Sequence, residues 1–263
     1  MGMWKSEPHA LMFALSTQQT FTNMAAQPWR TAVVTRIEEE ATDTRRFWFR
    51  VPELDRFDFI PGQFVTFDLP IHEKQNKRWR SYSIASAPDG TNEFELVIVL
   101  NPEGLGTNYM WKEFGIGTEV LFRGPQGVFT LNKETEKQDL FLICTGTGIA
   151  PFRSMVQDAI SHGTPYQHIY LIFGTRTKAS LLYHEELSKV SADHPNIQYI
   201  PVLSREDWEG EKGYVHQVYE RLAAAGQPAD FFLCGWKNMI DEAKRRIQEL
   251  GYDRKSIHQE IYG

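Results

Sequence analysis

Cysteine is scarce: Cys144 and Cys234 are the two in 263 residues, and they lie far apart. Neither has a neighbour at the spacing of a zinc site or an iron–sulfur cluster, so the sequence holds no metal relay of its own. Two isolated thiols fit a reducing compartment, and a cytoplasmic location is expected, with a single disulfide as the alternative. Long apolar runs are also missing. The stretch Ala10-Leu11-Met12-Phe13-Ala14-Leu15 is too short for a bilayer span and unconvincing as a signal-peptide core, with Lys5 the only Lys or Arg ahead of it. No membrane span is expected. Nor is there an excess of basic charge. The formal net charge is -6, with acids and bases interspersed, which argues against nucleic acid as a partner. No internal repeat or low-complexity tract is present.

What is present reads as an extension followed by two domains. A length of 263 residues allows one large or two ordinary cores. Residues 1–28 lack an ordered pattern and are expected to be disordered, with Met24 as an alternative start. Residues 29–132 read as β. Residues 31–37 are rich in β-branched side chains, 46–51 and 62–67 alternate, and 94–100 and 119–122 form further runs. Pro52, Pro61-Gly62, Pro70 and Pro88-Asp89-Gly90 punctuate them as turns. Many short strands with regular turns predict an antiparallel sandwich or barrel, interrupted by one helix near 108–113. The polar run 133–138 reads as a linker. From 138 to 263 strands alternate with helices: strands at 139–145, 168–173, 197–203 and 230–234, helices at 152–161, 183–190, 215–225 and 237–250. That alternation predicts a doubly wound parallel sheet with helices on both faces. Ligands of such sheets sit beyond the carboxyl ends of the strands.

Several segments carry residues suited to chemistry. In Arg80-Ser81-Tyr82-Ser83-Ile84-Ala85-Ser86, Arg80 and Tyr82 share one face of a strand while Ser81 and Ser83 share the other. The plain alternative is a strand with a polar edge. Glu103-Gly104-Leu105-Gly106-Thr107-Asn108 precedes a helix and suits either a capped turn or a phosphate site at a helix N-terminus. Thr145-Gly146-Thr147-Gly148-Ile149-Ala150-Pro151-Phe152 follows a predicted strand and opens a helix. Its glycines let backbone approach a phosphate, and a proline at a helix start costs no hydrogen bond. The string is G-x-G-x-x-P, which departs from the generic G-x-G-x-x-G dinucleotide fingerprint. Cys234-Gly235-Trp236 ends another predicted strand, where a lone cysteine is usually an inert buried residue.

Taken in order, and with Glu260-Ile261-Tyr262 near the end, these motifs resemble the ferredoxin–NADP reductase family from residue 29 to residue 262. The resemblance implies an FAD-binding antiparallel β-barrel followed by an NAD(P)-binding doubly wound domain. It implies that Arg80 pairs with the flavin pyrophosphate, that Tyr82 stacks on the isoalloxazine, and that Ser83 reaches its N5 edge. Ser81, Val99, Gly106, Thr107 and Tyr262 complete the implied flavin set, Tyr262 as an aromatic cap over the ring. Gly263 departs from plant-type members, which end on that aromatic. Gly124-Pro125-Gln126-Gly127-Val128-Phe129 resembles a family turn that closes the barrel. The implied NAD(P) set is Thr145, Gly146, Thr147, Gly148, Ile149, Pro151, Ser204, Arg205, Tyr214, Cys234 and Gly235. Ser83, Cys234 and Glu260 are the implied catalytic residues, and no metal is implied.

The resemblance implies NADP(H) or NAD(H) without deciding between them. Ser204-Arg205 resembles the pair that NADP-specific members place on the 2′-phosphate, with Lys212 as an extra contact and Tyr214 on adenine. Residues 207–215 instead resemble a run of NADH-using oxygenase reductases, and Glu206 and Asp207 would repel a phosphate unless they point away. The expected activity is electron passage between NAD(P)H and a separate ferredoxin or flavodoxin. The basic loop 73–80 is either solvated or a docking patch for an acidic carrier. Rival readings are an NADH-dependent reductase component of an oxygenase, a ferric or flavin reductase, and a flavin-binding interaction module without turnover.

Overall fold

β-Branched and aromatic residues alternate through the first half of the chain, and they form six strands around one helix. The computed structural model describes residues 27–131 and 138–262. Residues 1–26 of the expected extension 1–28, with the alternative start Met24, residues 133–137 of the expected linker 133–138, and Gly263 lie outside the described residues. In chain order the first half comprises β1 (Arg30–Ala41), β2 (Thr44–Arg50), β3 (Phe64–Asp68), β4 (Trp79–Ser83), β5 (Glu93–Val99), α1 (Leu105–Glu113) and β6 (Glu119–Gln126). The sheet order is β4-β3-β6-β1-β2-β5, with every pair antiparallel. Just beyond β4, the Ala85 amide donates to the Glu95 carbonyl on β5 at 2.8 Å, so the two edges meet and the sheet curls into a barrel.

Phenylalanine fills that barrel. Phe47, Phe49, Phe67, Phe94 and Phe122 are fully buried, and the rings of Phe49 and Phe94 stack at 5.3 Å. Burying such a side chain contributes about 1.5–3 kcal/mol.

The second half comprises β7 (Asp139–Thr145), α2 (Ile149–His162), β8 (Ile169–Thr175), α3 (His184–Asp193), β9 (Ile197–Leu203), β10 (Glu211–Lys212), α4 (Val215–Ala223), β11 (Ala229–Trp236), α5 (Lys237–Glu249) and β12 (Ile257–Tyr262). Its sheet order is β10-β9-β8-β7-β11-β12, all parallel. The central strands β7, β8 and β11 are mostly apolar on both faces because both faces are covered, whereas the edge strands β10 and β12 carry polar residues. Leu140, Leu142 and Cys144 pack with α2 and α3, whereas Phe141 and Ile143 pack with α4 and α5. The expected fold class, a barrel followed by a doubly wound sheet, matches this architecture.

Boundaries moved where local chemistry overrode periodicity. α1 and α2 start three residues earlier than expected, at the glycine turns that precede them. α3 starts one residue later, because Tyr183 has φ of 53° and serves as its N-cap rather than its first turn. β10 and β12 go beyond the expected strands. The two halves meet around Phe129, whose ring lies 5.9 Å from Phe152 and 5.2 Å from Phe232.

Candidate active site

β4 carries the first group of residues. Arg80 stands opposite Phe67 and Tyr82 opposite Val65. Their shared face is visible in the Tyr82 ring, which lies 5.8 Å from that of Phe67. Ser81 points the other way and its hydroxyl meets that of Thr66 at 2.9 Å. Burial pushes the Tyr82 hydroxyl up to about 12, with Arg80 pulling it down, so it stays a neutral phenol. The aliphatic stem of Arg80 crosses the first turn of α1: a Cβ on Gly106 would stand 2.9 Å from Arg80 Cγ. No side chain caps α1, so its first N–H groups have no intrahelical acceptor and stand beside the guanidinium. The Thr107 hydroxyl turns back, donating to the Asn101 carbonyl at 3.1 Å, so Thr107 offers this site its backbone amide. Val99 ends β5 and is exposed.

The second group lies where β7 and β11 end side by side. Their connections run to opposite sides of the sheet, which makes this the switch point of the fold. After Thr145 the chain turns through Gly146–Gly148 into α2, with Gly146 at φ of 56°. A Cβ on Gly148 would stand 2.5 Å from the Cys234 carbonyl oxygen, and one on Gly235 would stand 2.4 Å from Thr145 Oγ1. Only glycine on both sides allows the two strand ends to approach this closely. Thr147, Ile149 and Pro151 belong to the same turn and the first turn of α2.

Between these groups lies a buried polar centre. Parallel pairing of β11 with β12 sets Cys234 opposite Glu260 and Trp236 opposite Tyr262. Ser83, 5% exposed at the end of β4, donates its hydroxyl to Glu260 Oε1 at 3.2 Å, bridging barrel and sheet. Glu260 Oε2 is buried with no hydrogen-bond partner. Burial pushes the Glu260 carboxyl up to about 7, against the bond from Ser83. Burial also pushes the Cys234 thiol well up, followed by Glu260 and Cys144, so Cys234 is a neutral thiol rather than a nucleophile. The Tyr262 hydroxyl is raised by burial, then by Cys234 and Glu260.

Ser204 and Arg205 follow β9, away from this centre but on the same rim of the sheet. The Ser204 hydroxyl donates to the Thr175 carbonyl at 3.2 Å, and the Arg205 amide to the Arg176 carbonyl at 3.0 Å. Tyr214, 68% exposed, caps α4. Lys212, expected as an extra phosphate contact, is ion-paired to Asp207. Glu206 accepts from the Lys178 amide at 2.7 Å. Arg176 follows the end of β8, beside Arg205, with no motif to mark it in the sequence. At the end of β11, Trp236 is 66% exposed, while Trp79 opens β4 against Arg123, whose guanidinium lies 4.4 Å from its ring. Among the described residues no cluster of His, Cys, Asp or Glu is placed to hold a metal, and no helix is long and apolar enough to cross a membrane.

Comparison with known proteins agrees with this division. Residues 31–131 match the oxidoreductase FAD-binding domain family and residues 142–245 the oxidoreductase NAD-binding domain family. The chain is 35% identical over 215 residues to ferredoxin–NADP reductase B of Sorangium cellulosum, covering 78% of this chain and 86% of that protein. It is 31% identical over 209 residues to the anthranilate 1,2-dioxygenase electron transfer component of Acinetobacter baylyi, covering 79% of this chain but only 59% of that protein. The crystal structure of the Amycolatopsis cytochrome P450 reductase GcoB superposes with a TM-score of 0.80 at 26% identity, over 89% of this chain and 70% of that one. The chain is therefore a member of the ferredoxin–NADP reductase family, an FAD-dependent NAD(P)H oxidoreductase.

Proposed function

We propose that this protein takes electrons from NADPH and passes them to a separate carrier of the ferredoxin or flavodoxin kind. The observation that carries the reading is the Ser83–Glu260 contact, which joins the strand suited to flavin to the strands suited to nicotinamide. A flavin held there would supply hydride acceptance at N5 from the nicotinamide and release of the electrons one at a time. The residues fit the two cofactors. Arg80 and the uncapped start of α1 suit a pyrophosphate, and the Gly106 position leaves no room for a side chain between them. The Gly146–Gly148 turn suits the second pyrophosphate. The unpartnered Glu260 Oε2 suits a donor on either cofactor.

In this reading Ser83 and Glu260 hold the reacting rings in line, and Cys234 packs beside them as a neutral thiol. With a carboxyl near 7, Glu260 is placed to hold or release a proton at Oε2 at working pH. Tyr262 caps the centre until displaced, since aromatic stacking adds only about 1 kcal/mol beyond burial.

Preference for NADPH is supported by Arg176 and Arg205. Neither is ion-paired among the described residues; of the nearby acids, Asp207 and Glu209 are paired with Lys212 and Lys178, and Glu206 is engaged by the Lys178 amide. The NADH reading keeps one specific support, the resemblance of residues 207–215 to oxygenase reductases. Stopped-flow reduction with each nicotinamide, followed by flavin bleaching, tests both. Faster bleaching by NADPH, lost in Arg205→Ala by about 10- to 100-fold in affinity, is expected for a charge-assisted phosphate contact. Preference for NADH would move the assignment to an oxygenase reductase. No bleaching with either would leave a flavin-binding module. Turnover with an added ferredoxin, flavodoxin, ferric chelate or free flavin then ranks the acceptors.

A further inference from the structure

Barrel and sheet each fill a core of their own and share an apolar seam of Ala85, Val97 and Phe129, yet the function proposed above, on which this inference rests, needs them in one register. α2 spans the gap. Its N-terminal end follows the Gly146–Gly148 turn, and one of its faces meets the backbone leaving β4. Arg153 Nη1 donates to the Ala85 carbonyl at 2.9 Å. Ser154 Oγ donates to the Ser86 carbonyl at 2.6 Å. Gln157 Oε1 accepts from the Ala87 amide at 3.1 Å. Three residues of one helix thus grip three consecutive residues, just beyond Ser83.

Arg153 is itself held from several sides. It is 5% exposed, and donates to Glu95 Oε2 at 2.9 Å and, through Nε and Nη2, to the Glu186 carboxylate of α3. Glu95, 2% exposed on β5, also accepts from Arg46 Nε at 2.7 Å and the Tyr183 hydroxyl at 2.8 Å. The Tyr183 ring lies 4.2 Å from the Arg153 guanidinium and 4.9 Å from that of Arg46. Its left-handed backbone is one that a bulky residue rarely adopts, and the surrounding contacts hold it there. An apolar interface tolerates sliding; these directional, charge-assisted bonds permit one alignment.

We propose that Arg153 and Glu95 are positioning residues for electron transfer: acting through Ala85, Ser86 and Ala87, they fix where Ser83 stands relative to Cys234 and Glu260. A misplacement of about 1 Å at a reacting centre can cost about 100-fold in rate.

The test compares wild-type holoenzyme with Arg153→Met, Glu95→Gln and a control, Arg246→Met, whose bridge to Glu220 joins α5 to α4 and whose bridge to Glu242 stays within α5. Flavin content, the nicotinamide dissociation constant, the limiting rate of flavin reduction and hydrogen exchange of the 85–87 amides are measured. The expected result is full flavin content, a dissociation constant within about threefold, a limiting rate lowered about 30- to 100-fold, and faster exchange at 85–87. Arg246→Met should change none of these. Arg153→Lys, which keeps the charge and one donor, should recover part of the rate. Limiting rates within about threefold of wild type in both interface variants would overturn the proposal, as would unchanged exchange at 85–87. Should Arg153→Met fail to fold, Glu95→Gln, which weakens the same anchor while leaving Arg153 in place, carries the test alone, and a limiting rate within about threefold of wild type there would overturn it equally. A wild type that neither nicotinamide bleaches refutes the function, whereas a wild type that bleaches beside unaltered variants refutes the positioning alone.

Discussion

Glu260 makes the stability of this protein depend on pH in a direction opposite to that of most carboxylates. Its carboxyl titrates at 4.5 in an unfolded chain and at about 7 in the fold, chiefly because it is buried. Between those values the native state holds a proton that the unfolded state has released. Stability therefore falls as pH rises through the window. Each unit is worth about 1.4 kcal/mol, so complete passage removes about 3 kcal/mol. Glu260→Gln cannot titrate and keeps a neutral side chain of similar shape. Thermal unfolding of the two proteins should thus coincide near the acid end and separate toward the alkaline end, with the variant the more stable. For a chain of this size about 1 kcal/mol moves the midpoint by about 2–4 °C, so the expected gap near pH 8 is about 6–12 °C. Taking the difference between the two proteins cancels every other titrating group. A gap that stays constant with pH, or one that opens toward acid, would refute the assignment of a raised carboxyl to this position.

The same centre yields a kinetic counterpart. Ser83→Ala removes the bond that favours the Glu260 carboxylate, so the pH at which the limiting flavin-reduction rate changes should move upward from its wild-type value near 7, read from a pH profile at saturating nicotinamide. Gly148→Ala forces a Cβ against the Cys234 backbone, which cannot move aside as a flexible side chain can; a loss of about 1–3 kcal/mol in thermal unfolding and weakened nicotinamide binding by titration are expected. Arg80→Ala should raise the flavin dissociation constant about 10- to 100-fold, measured by fluorescence of the released flavin, while leaving the barrel folded.

The fold was legible because two periods dominate the sequence. Alternation in β2 and β3 marked the barrel, and strand–helix alternation after residue 138 marked the doubly wound sheet. The motifs at 80–83 and 145–151 were legible because strand ends and glycine turns leave local signatures. The contacts that join the halves were not. Arg153 meets Glu95 across 58 residues of chain and Glu186 across 33, and no local pattern encodes such a pairing. Arg153 lies within the helix expected at 152–161 and Glu95 within the strand expected at 94–100, and neither belongs to a motif. Tyr183 was read as helical because its left-handed backbone is imposed by Glu40, Arg46 and Arg153 and not by its neighbours in sequence. The ion pair of Lys212 with Asp207 was not legible either, because it depends on how the loop before β10 folds back.

The placement of two tryptophans gives the protein a way to report its own state. Trp79 precedes Arg80 on β4, and Trp236 stands exposed beyond Gly235 on the rim where β11 ends. One indole therefore neighbours the strand suited to flavin and the other the turn suited to nicotinamide. A flavin absorbs where tryptophan emits, so its arrival dims Trp79, while a nicotinamide settling against the rim changes the solvent around Trp236. The chain holds seven tryptophans, so the Trp79→Phe and Trp236→Phe proteins, each subtracted from wild type, separate the two reports without any label being added.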